Sequence, residues 1–418
     1  MQDKILIVED NKTLAKLIAK KIQHALEMEV DVAYTLAEAK LFLAGNNYFI
    51  TLLDINLPDA PNGEVVEYAL SKKNHVIVLS ANIDKDFRKK MLQKNIIDYV
   101  NKGGTGDINY IIQSIDRLRK NQKHKVLVVD DSLVFRKQMQ NMLKNLFFEV
   151  ITVAHGEEAL GMLQAKPDIS LVLTDYNMPV MNGLNLTYEI RQTYSKDELC
   201  ILALSGNEDS EISALFLKHG ANDYIKKPFS KEEFSCRVNN SIEALENIQT
   251  IMNYANRDYL TGLYNRRYFY STMNEYLEEI KESGEKFAVA MIDIDHFKNI
   301  NDSYGHDIGD RVIVTLSDIL RSSTSPRDVV SRFGGEEFCI VLKNINRYSA
   351  EDILERIHAE VANYSLAIDK ERIINFTISI GAVLYQDGET LDDAINEADM
   401  LLYKAKNGGR NKLIFSAN

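Results

Sequence analysis

Two glycines, two adjacent glutamates and a phenylalanine follow one another at residues 334–338. Glycine permits the backbone angles of a tight turn, and short apolar runs on both sides of this stretch predict a β-hairpin with the glutamates at its tip. Adjacent carboxylates at a hairpin tip are poor for packing and well suited to holding a metal ion. Glu336 and Glu337 are therefore candidates for metal binding and acid–base chemistry.

A further carboxylate, Asp293, follows an apolar run at residues 287–292 that predicts a buried strand. Asp293 and Glu336 can share a pair of Mg²⁺ ions, with the backbone carbonyl of Ile294 as a neutral ligand. Two-metal sites hold the attacking and leaving oxygens of an in-line phosphoryl displacement. The residue types therefore predict phosphoryl-transfer chemistry at this place.

Groups that could bind phosphates occur in two places. Phe297 and Lys298 directly follow the predicted strand, where backbone N–H groups and a cation can meet a triphosphate. Lys406 and Arg410 are four positions apart, so on a helix they would share a face. This spacing predicts a phosphate clamp on one helix.

Asn301 and Asp310 are candidates for recognising a nucleotide base. A carboxylate accepts hydrogen bonds from the N1–H and N2–H₂ groups of guanine, but not from the Watson–Crick edge of adenine. The predicted substrate is therefore a guanine nucleotide.

The first half of the chain contains two copies of one pattern, in which strand-like apolar runs alternate with stretches of helical period. Such alternation predicts a parallel sheet covered by helices on both faces. Functional groups of such sheets gather outside the carboxyl ends of the strands. The polar residues that end the runs are Glu9, Asp10, Asp54, Ser80 and Lys102 in the first copy, and Asp130, Asp131, Asp175, Ser205 and Lys227 in the second.

Three carboxylates that converge on one crevice repel each other unless a cation lies among them, and Mg²⁺ is the natural occupant. A hydroxyl group and a lysine nearby would bind the oxygens of a transferred phosphoryl group. The central Asp54 or Asp175 would then be a carboxylate nucleophile that forms an acyl phosphate. A single aspartate at a strand end more often caps a turn or a helix, but five matching polar positions in two copies favour the site.

Both copies resemble response-regulator receiver domains, over about residues 1–120 and 123–245. The resemblance implies two doubly wound, flavodoxin-like (βα)₅ domains that a histidine kinase or a phosphotransfer protein phosphorylates at Asp54 and Asp175. It also implies one Mg²⁺ per domain. The switch residues that it implies are Ser80, Tyr99 and Lys102 in the first domain, and Ser205, Tyr224 and Lys227 in the second.

The two copies differ in how closely they follow the receiver pattern. The second copy keeps the family's Lys227-Pro228 pair, whose peptide bond is expected to be cis. The first copy has Lys102-Gly103 instead, and Glu9 in place of the first aspartate. Neither change removes a charged group, so both copies are expected to keep a phosphoacceptor site.

A helix is predicted to join the second copy to the rest of the chain. Ser230 with a glutamate three residues later is typical of a helix start, and neither glycine nor proline follows until after Asn256. The apolar residues of its first half, at 238, 242 and 245, are expected to pack on the second copy. The second half extends past that domain, where pairing with the same helix of another subunit is the alternative.

The last segment resembles the GGDEF family, the diguanylate cyclases, over about residues 257–416. Four motifs occur in the family's order: the opening at residues 258–267, the block at 293–310, Gly-Gly-Glu-Glu-Phe, and the Lys-Asn-Gly-Gly-Arg ending. The resemblance implies an α+β domain with a central, mostly antiparallel sheet flanked by helices. It also implies condensation of two GTP molecules into cyclic di-GMP and two pyrophosphates.

The GGDEF resemblance also implies a role for individual residues. Glu336 is a metal ligand and the base for the 3′-hydroxyl, Glu337 assists, and Lys298 stabilises the charge of the transition state. Each site would hold two Mg²⁺ ions, for which Mn²⁺ could substitute. The residues implied to hold the guanosine are Asn301, His306 and Asp310, and those implied at the metals are Asp293, Ile294 and Glu336.

One such domain binds one GTP, so the reaction needs two domains that face each other, and dimerisation would control catalysis by proximity. We therefore expect a homodimer formed through the receivers and the joining helix. The alternative is a catalytically weak or inactive domain that senses a nucleotide while the receivers bind partners. All the acidic residues of the pattern are present, which favours the enzyme.

One departure from the family pattern concerns feedback by the product. The family's product-inhibition motif, Arg-x-x-Asp, places its aspartate at Asp328 and its arginine at position 325, which is Ser325. Arg327 is adjacent to the aspartate and cannot take the same direction. We therefore expect tight product inhibition through this motif to be lost or weak.

Size and composition agree with this organisation. A chain of 418 residues suggests about three domains, which we expect at 1–120, 123–245 with its last helix reaching about 256, and 257–418. A net charge of −12 argues against nucleic-acid binding. Three scattered cysteines without CxxC spacing are typical of a reducing cytoplasm. No apolar run approaches the ~20 residues of a membrane span, so a cytoplasmic protein is expected.

Overall fold

A computed structural model of the chain describes residues 4–81, 85–102, 105–206, 210–369, 372–386 and 388–416. The chain divides into two compact units, Met1–Gln249 and Thr250–Asn418. The first unit contains both copies of the repeat, and the second contains the Gly-Gly-Glu-Glu-Phe motif. In the part of the chain that the structure describes, no helix is long and apolar enough to cross a membrane.

The first copy is a parallel sheet with strand order β2-β1-β3-β4-β5. Its inner strands β1, β3 and β4 are buried along almost their whole length, because helices cover both faces. The strands are β1 (Lys4–Val8), β2 (Glu29–Ala33), β3 (Ile50–Asp54), β4 (Val76–Ser80) and β5 (Asp98–Asn101). The helices are α1 (Lys12–Leu26), α2 (Leu36–Gly45), α3 (Glu64–Ser71), α4 (Lys85–Gln93) and α5 (Thr105–Asn121).

The second copy repeats this topology, with strand order β10-β9-β8-β6-β7. The strands are β6 (Lys125–Val129), β7 (Glu149–Val153), β8 (Ile169–Asp175), β9 (Cys200–Ser205) and β10 (Asp223–Lys226). The helices are α6 (Leu133–Asn145), α7 (Gly156–Ala165), α8 (Gly183–Thr193), α9 (Ser210–Lys218) and α10 (Lys231–Asn256). The doubly wound fold predicted for both copies is confirmed, and the peptide bond between Lys227 and Pro228 is cis, as expected.

The helix α10 begins and ends where the sequence predicts. The hydroxyl of Ser230 accepts a hydrogen bond from the backbone N–H of Glu233 at 3.0 Å, so Ser230 is the N-cap. In the first half of the helix, the apolar residues Val238, Ile242 and Leu245 are buried. Near its end, Ile251, Met252 and Tyr254 are exposed. The prediction that the first half packs on the second copy is confirmed.

A polar cluster joins the two copies within the first unit. The guanidinium of Arg117 donates two hydrogen bonds to the carboxylate of Glu246, at 2.6 and 2.8 Å. The Nε2 atom of His124, in the segment between the copies, lies 2.7 Å from the same carboxylate. Arg117 and His124 hold the pKa of Glu246 down to about 2, although partial burial opposes this.

The surfaces that meet in this contact are not equivalent in the two copies. The first copy contributes α4, α5 and the amino ends of strands, whereas the second contributes the end of α6 and the face of α10. The ring of Phe147, directly after α6, lies 4.7 Å from that of Phe49 and 4.3 Å from that of His75, centroid to centroid. Arg88 of α4 forms an ion pair with Glu232 of α10. The two copies therefore contribute mostly different elements to this contact, although α5 and α10 hold the same place in the repeat.

The second unit contains a mixed sheet with strand order β11-β13-β14-β12-β17-β18. The strands are β11 (Tyr264–Asn265), β12 (Phe287–Ile294), β13 (Val329–Gly334), β14 (Glu337–Lys343), β15 (Leu366–Ala367), β16 (Ile373–Ile374), β17 (Ile378–Leu384) and β18 (Leu413–Phe415). The helices are α11 (Arg266–Ser283), α12 (Phe297–Tyr304), α13 (His306–Ser323), α14 (Arg347–Asn363) and α15 (Leu391–Asn407). The long strands β12, β13, β14 and β17 pair antiparallel, which confirms the predicted architecture.

The central strand β12 separates two apolar cores. Because successive side chains of a strand point to opposite faces, Ala288, Ala290 and Ile292 pack with α13 and α14. Phe287, Val289 and Met291 pack with α11 and α15. The strand is thus held from both sides, which fixes the position of the acidic residue at its end.

Candidate active site and phosphoacceptor sites

The end of β12 and the tip of the β13–β14 hairpin bring three carboxylates together. In the register of β12 with β14, Asp293 lies directly opposite Glu337. Glu336 occupies the turn, where Gly334 and Gly335 have φ of 156° and 53°, a region that favours glycine. The turn that the sequence predicts is therefore present, and it places both glutamates beside Asp293.

Asp293 is the buried member of this group. Burial raises the pKa of its carboxyl group to about 6, and the neighbouring Glu336 and Glu337 add to the rise, while Lys406 opposes it. The Nζ atom of Lys406 lies 2.8 Å from Asp293 Oδ2. Asp293 thus has two further carboxylates beside it, and the backbone carbonyl of Ile294 follows it in the chain. Oxygen donors of this kind suit a hard divalent cation.

The residues predicted to read the base lie on two consecutive helices, Asn301 on α12 and Asp310 on α13. Asn301 Oδ1 is buried and has no hydrogen-bond partner within the described residues. It lies against Gly309, since a Cβ atom at that position would be 1.9 Å from it. Asp310 and His306 are exposed. The side chain of Asn301 is therefore held in place with its acceptor uncommitted.

The expectation that Lys406 and Arg410 share a helix face is wrong. The helix α15 ends at Asn407, because two glycines follow, and Arg410 lies in the next loop with φ of 60°. Its backbone N–H donates to the carbonyl of Ala405 at 3.0 Å. Lys406 and Arg410 thus approach the site from different elements, a helix and a loop.

Sequence reasoning assigned no role to Asp295, but in the structure this buried residue links three other residues by hydrogen bonds. Its carboxylate accepts hydrogen bonds from the hydroxyl of Thr377 at 2.8 Å and that of Ser379 at 2.7 Å. It also accepts one from the backbone N–H of Asn411 at 2.9 Å. Asp295 therefore fixes the loop that carries Arg410 to the end of β12. Its position two residues after Asp293 was the available signal, but its partners are far away in sequence.

Arg332 was also missed, although it supports the hairpin turn directly. Its Nε and Nη2 atoms donate to the carbonyl of Gly335 at 2.9 and 2.7 Å. Its Nη1 atom donates to Asp258 Oδ1 at 2.9 Å, and Asp258 also accepts from the backbone and hydroxyl of Thr261. Burial opposes ionisation of Asp258, yet these donors hold its pKa below the usual value. The opening motif of the domain therefore anchors the acidic turn.

The remaining predicted phosphate-binding residues begin α12. Phe297 is half-buried at its first position, and Lys298 is exposed. His296 precedes them with φ of 56° and is exposed. Lys298 makes no hydrogen bond or ion pair with the described residues, so its ammonium group is available to a ligand.

The first copy gathers its predicted residues into a buried cluster. The Nζ atom of Lys102 lies 2.8 Å from Glu9 Oε2 and 2.5 Å from Asp54 Oδ2. Burial raises the pKa of Glu9, with Asp54 adding to the rise. Ligand atoms of Glu9, Asp10 and Asp54 all lie within 4.8 Å of one another, which suits a divalent cation. Ser80 and Tyr99 are both buried close to the strand ends, and Gly103 lies outside the described residues.

The second copy places its lysine against the corresponding two carboxylates, and its acceptor is more open. The Nζ atom of Lys227 lies 3.2 Å from Asp130 Oδ2 and 2.7 Å from Asp175 Oδ1. Burial raises the pKa of Asp130, and Asp131 is exposed. The side chain of Asp175 is 14% exposed, against 2% for Asp54 of the first copy. Ser205 is buried, with its hydroxyl 3.4 Å from that of Ser213, and Tyr224 is half-buried.

Comparison with known proteins identifies the two kinds of domain. Residues 5–115 and 126–239 match the response regulator receiver domain, and residues 255–412 match the diguanylate cyclase GGDEF domain. The chain therefore belongs to the response regulators, in the branch whose receivers precede a diguanylate cyclase GGDEF domain. Enzymes of this kind generally use Mg²⁺, which agrees with the carboxylates at Asp293, Glu336 and Glu337.

Individual relatives cover all or part of this architecture. The response regulator PleD of Caulobacter vibrioides is 26% identical over the full length of both chains. Diguanylate cyclase A of Treponema denticola is 37% identical over 46% of this chain and 55% of its own. A crystal structure of a two-component response regulator/GGDEF domain protein is 39% identical, with a TM-score of 0.54 over 58% of this chain and 99% of its own.

Proposed function

We propose that this protein condenses two GTP molecules into cyclic di-GMP and two pyrophosphates, and that phosphorylation of its receivers regulates the reaction. The observation that supports this most directly is the meeting of Asp293, Glu336 and Glu337 at the end of β12. Each 3′-oxygen attacks the α-phosphorus of the other nucleotide, and the bond from that phosphorus to the pyrophosphate breaks. The use of GTP places the proposed activity in the cytoplasm.

The residues of the chain have distinct tasks in this proposal. Two Mg²⁺ ions, or Mn²⁺ in their place, would be held by Asp293, Glu336 and the carbonyl of Ile294, and would polarise the α-phosphate. Glu336 accepts the proton of the 3′-hydroxyl group, with Glu337 beside it. Lys298, Lys406 and Arg410 neutralise phosphate charge.

Recognition of guanine rests on the two helices that follow β12. Asp310 accepts hydrogen bonds from the N1–H and N2–H₂ groups of the base. The side-chain amide of Asn301 forms a hydrogen bond with another polar edge of the base. His306, at the start of α13, contacts the guanosine. The uncommitted Oδ1 of Asn301 supports this assignment, because a buried acceptor without a donor costs free energy until a ligand supplies one.

Regulation is proposed to act through dimerisation. Each receiver would bind one Mg²⁺, through Glu9, Asp10 and Asp54 or through Asp130, Asp131 and Asp175. A histidine kinase or a phosphotransfer protein would phosphorylate the central aspartate of each. Lys102 and Lys227 would bind the phosphoryl oxygens. The switch residues would then change conformation in response to phosphorylation, namely Ser80 and Tyr99 in the first receiver and Ser205 and Tyr224 in the second.

The exposed end of α10 supports a contact with a second copy of the chain. Ile251, Met252 and Tyr254 are exposed there, on a helix that runs without a break from Lys231. Pairing two such helices would bury this apolar surface and bring two GGDEF domains, each with one GTP, into a single reaction.

Beryllofluoride, which mimics an aspartyl phosphate, provides the direct test. With Mg²⁺ it should raise both the dimer fraction, measured by light scattering, and the rate of cyclic di-GMP formation from GTP. A chain with both Asp54→Asn and Asp175→Asn should show neither response. Failure to form cyclic di-GMP in any phosphorylation state would contradict the enzyme and favour a nucleotide-sensing scaffold.

Product feedback through the Arg-x-x-Asp motif is expected to be absent or weak. Ser325 replaces the arginine, and both carboxylate oxygens of Asp328 are already engaged by the backbone N–H groups of Ser325 and Lys343, at 2.7 and 3.0 Å. Titration with cyclic di-GMP during turnover should therefore leave the rate nearly unchanged. Strong inhibition at low micromolar product would show that another site carries the feedback or that this one survives.

Gly309→Ala should weaken GTP binding by about tenfold, a loss of ~1.4 kcal/mol. The added methyl group would collide with Asn301 Oδ1 and push the amide out of the base site. The KM for GTP should rise while the receivers accept phosphate as before. Gly161→Ala is the matched control, because a Cβ on that helical glycine meets nothing within 4 Å. An unchanged KM in Gly309→Ala would remove Asn301 from the site.

A further inference from the structure

A groove runs between the two receivers, inside the first unit. One cavity of about 510 Å³ follows α6 and reaches Asn95 and Lys231. A second cavity of about 430 Å³ shares Asn95 and Asn141 with the first and extends to His75 and Lys144. Because they share two lining residues, the cavities form one continuous space, which we name the inter-receiver groove. Pockets for small molecules typically measure roughly 300–1,000 Å³ and often lie between domains.

The two walls of the groove come from different receivers and are held together by hydrogen bonds. The second receiver contributes α6 and the start of α10, and the first contributes the segments that follow α4 and precede β4. The Nζ atom of Lys231 donates to the carbonyl of Lys94 at 3.1 Å, and the Nδ2 atom of Asn145 donates to that of Ile96 at 3.3 Å. A ligand would therefore enter a space that the fold already provides.

The lining is positively charged and has no acid to balance it. Lys137, Lys144 and Lys231 line the groove, whereas no aspartate or glutamate is among the described residues that do so. The chain as a whole carries a net charge of −12, so this local excess of lysine is the opposite of its general character. Lys137 and Lys144 form no ion pair with the described residues. These ammonium groups are therefore available to the oxygens of an anion, and lysine is a frequent ligand of phosphate.

The spacing of the lysines indicates an extended anion. Lys137 and Lys144 are seven positions apart on α6, which separates their backbone positions by about 10 Å along the helix axis. Lys231 lies on another helix and keeps two further N–H donors beyond its bond to Lys94. A single phosphate ion would engage one end of this set. A chain of phosphates joined to a nucleoside could extend along it.

Uncommitted amides distinguish the groove from an exposed helix face that merely carries lysines. The side chains of Asn95, Gln138 and Asn141 line it and make no hydrogen bond with the described residues. Each amide offers both donors and an acceptor, and asparagine or glutamine can pair with adenine through two hydrogen bonds. Met142 and Leu133 add apolar wall against which a base ring can pack.

We propose that the inter-receiver groove binds a nucleoside polyphosphate, with Lys137, Lys144 and Lys231 at its phosphates and Asn95 and Asn141 at its base. The residues of the proposed GTP site all belong to the second unit, so this site is additional to it and does not depend on it. Because its walls belong to different receivers, a bound nucleotide would strengthen the contact between them.

The test is calorimetric titration of the full chain with ATP and, separately, with GTP. Mg²⁺ is omitted, so that the carboxylates of the second unit hold no metal for a triphosphate. At least one of the two nucleotides should bind. Lys137→Gln with Lys144→Gln should weaken that binding by about tenfold or more, because charge-assisted hydrogen bonds are lost. Lys196→Gln with Lys218→Gln is the matched control, since both lysines are exposed on the second receiver outside the groove.

Asn141→Ala separates a nucleotide site from a patch that attracts any anion. Asn141 is exposed on α6, and alanine is a better helix former, so the fold should be retained. Inorganic tripolyphosphate should bind the unsubstituted chain about tenfold more weakly than the nucleotide. Asn141→Ala should bring the affinity for the nucleotide towards that for tripolyphosphate and leave the latter unchanged.

Thermal unfolding provides a second measurement. A ligand that binds the folded chain stabilises it, so the nucleotide should raise the thermal midpoint of the first unit. The variant with Lys137→Gln and Lys144→Gln should lose this rise. Without the nucleotide, its midpoint and its formation of cyclic di-GMP from GTP and Mg²⁺ should equal those of the unsubstituted chain.

Four outcomes would overturn the proposal. They are the absence of binding by ATP and GTP, equal affinity in the variant with Lys137→Gln and Lys144→Gln, an equal loss in the control pair, and binding of tripolyphosphate as tight as that of the nucleotide. Formation of cyclic di-GMP is measured separately, so each of these results would leave the proposed cyclase function standing.

Discussion

Glu336→Gln is expected to lower the rate of cyclic di-GMP formation by about a thousandfold. A positioned general base typically contributes 10²–10⁴-fold to the rate, and the substitution would also remove the negative charge that binds the metal. Glu336 lies half-buried in the hairpin turn and makes no hydrogen bond or ion pair with the described residues. The substitution should therefore remove chemistry without disturbing the fold. Chromatographic measurement of product from GTP and Mg²⁺ provides the readout.

Two controls separate chemistry from structure in this experiment. The thermal midpoint of Glu336→Gln and its phosphorylation by acetyl phosphate should equal those of the unsubstituted chain. Glu337→Gln changes the other glutamate of the same hairpin, and its loss should be smaller, about tenfold, because it only assists. Retention of more than a tenth of the activity in Glu336→Gln would assign the base to another group.

Asp295→Ala is expected to lower the free energy of unfolding of the second unit by about 4 kcal/mol. The three donors that Asp295 now accepts from would lose their partner while the site stays buried, and each such loss costs roughly 1–3 kcal/mol. The loop with Arg410 would also be released from β12, so activity at low temperature should fall as well. Denaturant unfolding of the full chain, followed by a probe in the second unit, measures the first effect.

The conservative variant shows whether Asp295 acts by positioning. Asp295→Asn keeps one carbonyl oxygen as acceptor and should recover part of both stability and activity. Asp302→Ala, which removes an exposed acid on the nearby α12, should change neither. If Asp295→Ala unfolds like the unsubstituted chain, the three hydrogen bonds do not hold this end of the sheet.

Much of the candidate site was predictable because its residues are marked locally. Asp54, Asp175 and Asp293 each follow an apolar run directly, so they can be recognised in the sequence as acids at strand ends. The paired glycines predict the turn at Glu336. The capping serine and the uninterrupted helical sequence likewise gave α10 its bounds. These features depend on interactions between residues that are close in sequence.

The rest depended on contacts between distant residues. Asp295 looks like its neighbour Asp293 in sequence, and only the fold brings Thr377, Ser379 and Asn411 to it. The role of Arg332 likewise depends on Asp258, which belongs to another motif. Spacing alone misled at Arg410, because a four-residue interval means a shared face only if the helix continues.

The stacking of Phe147 on Phe49 and His75 bears on how this protein should be dissected in the laboratory. A truncated chain that begins between the receivers would present that ring to water and leave Glu246 and Glu232 without the partners Arg117 and Arg88. Such a fragment would be prone to self-association unrelated to signalling, and dimers measured on it would be misleading. Inactivating one receiver by substitution of its acceptor aspartate, with both domains retained, avoids this artefact.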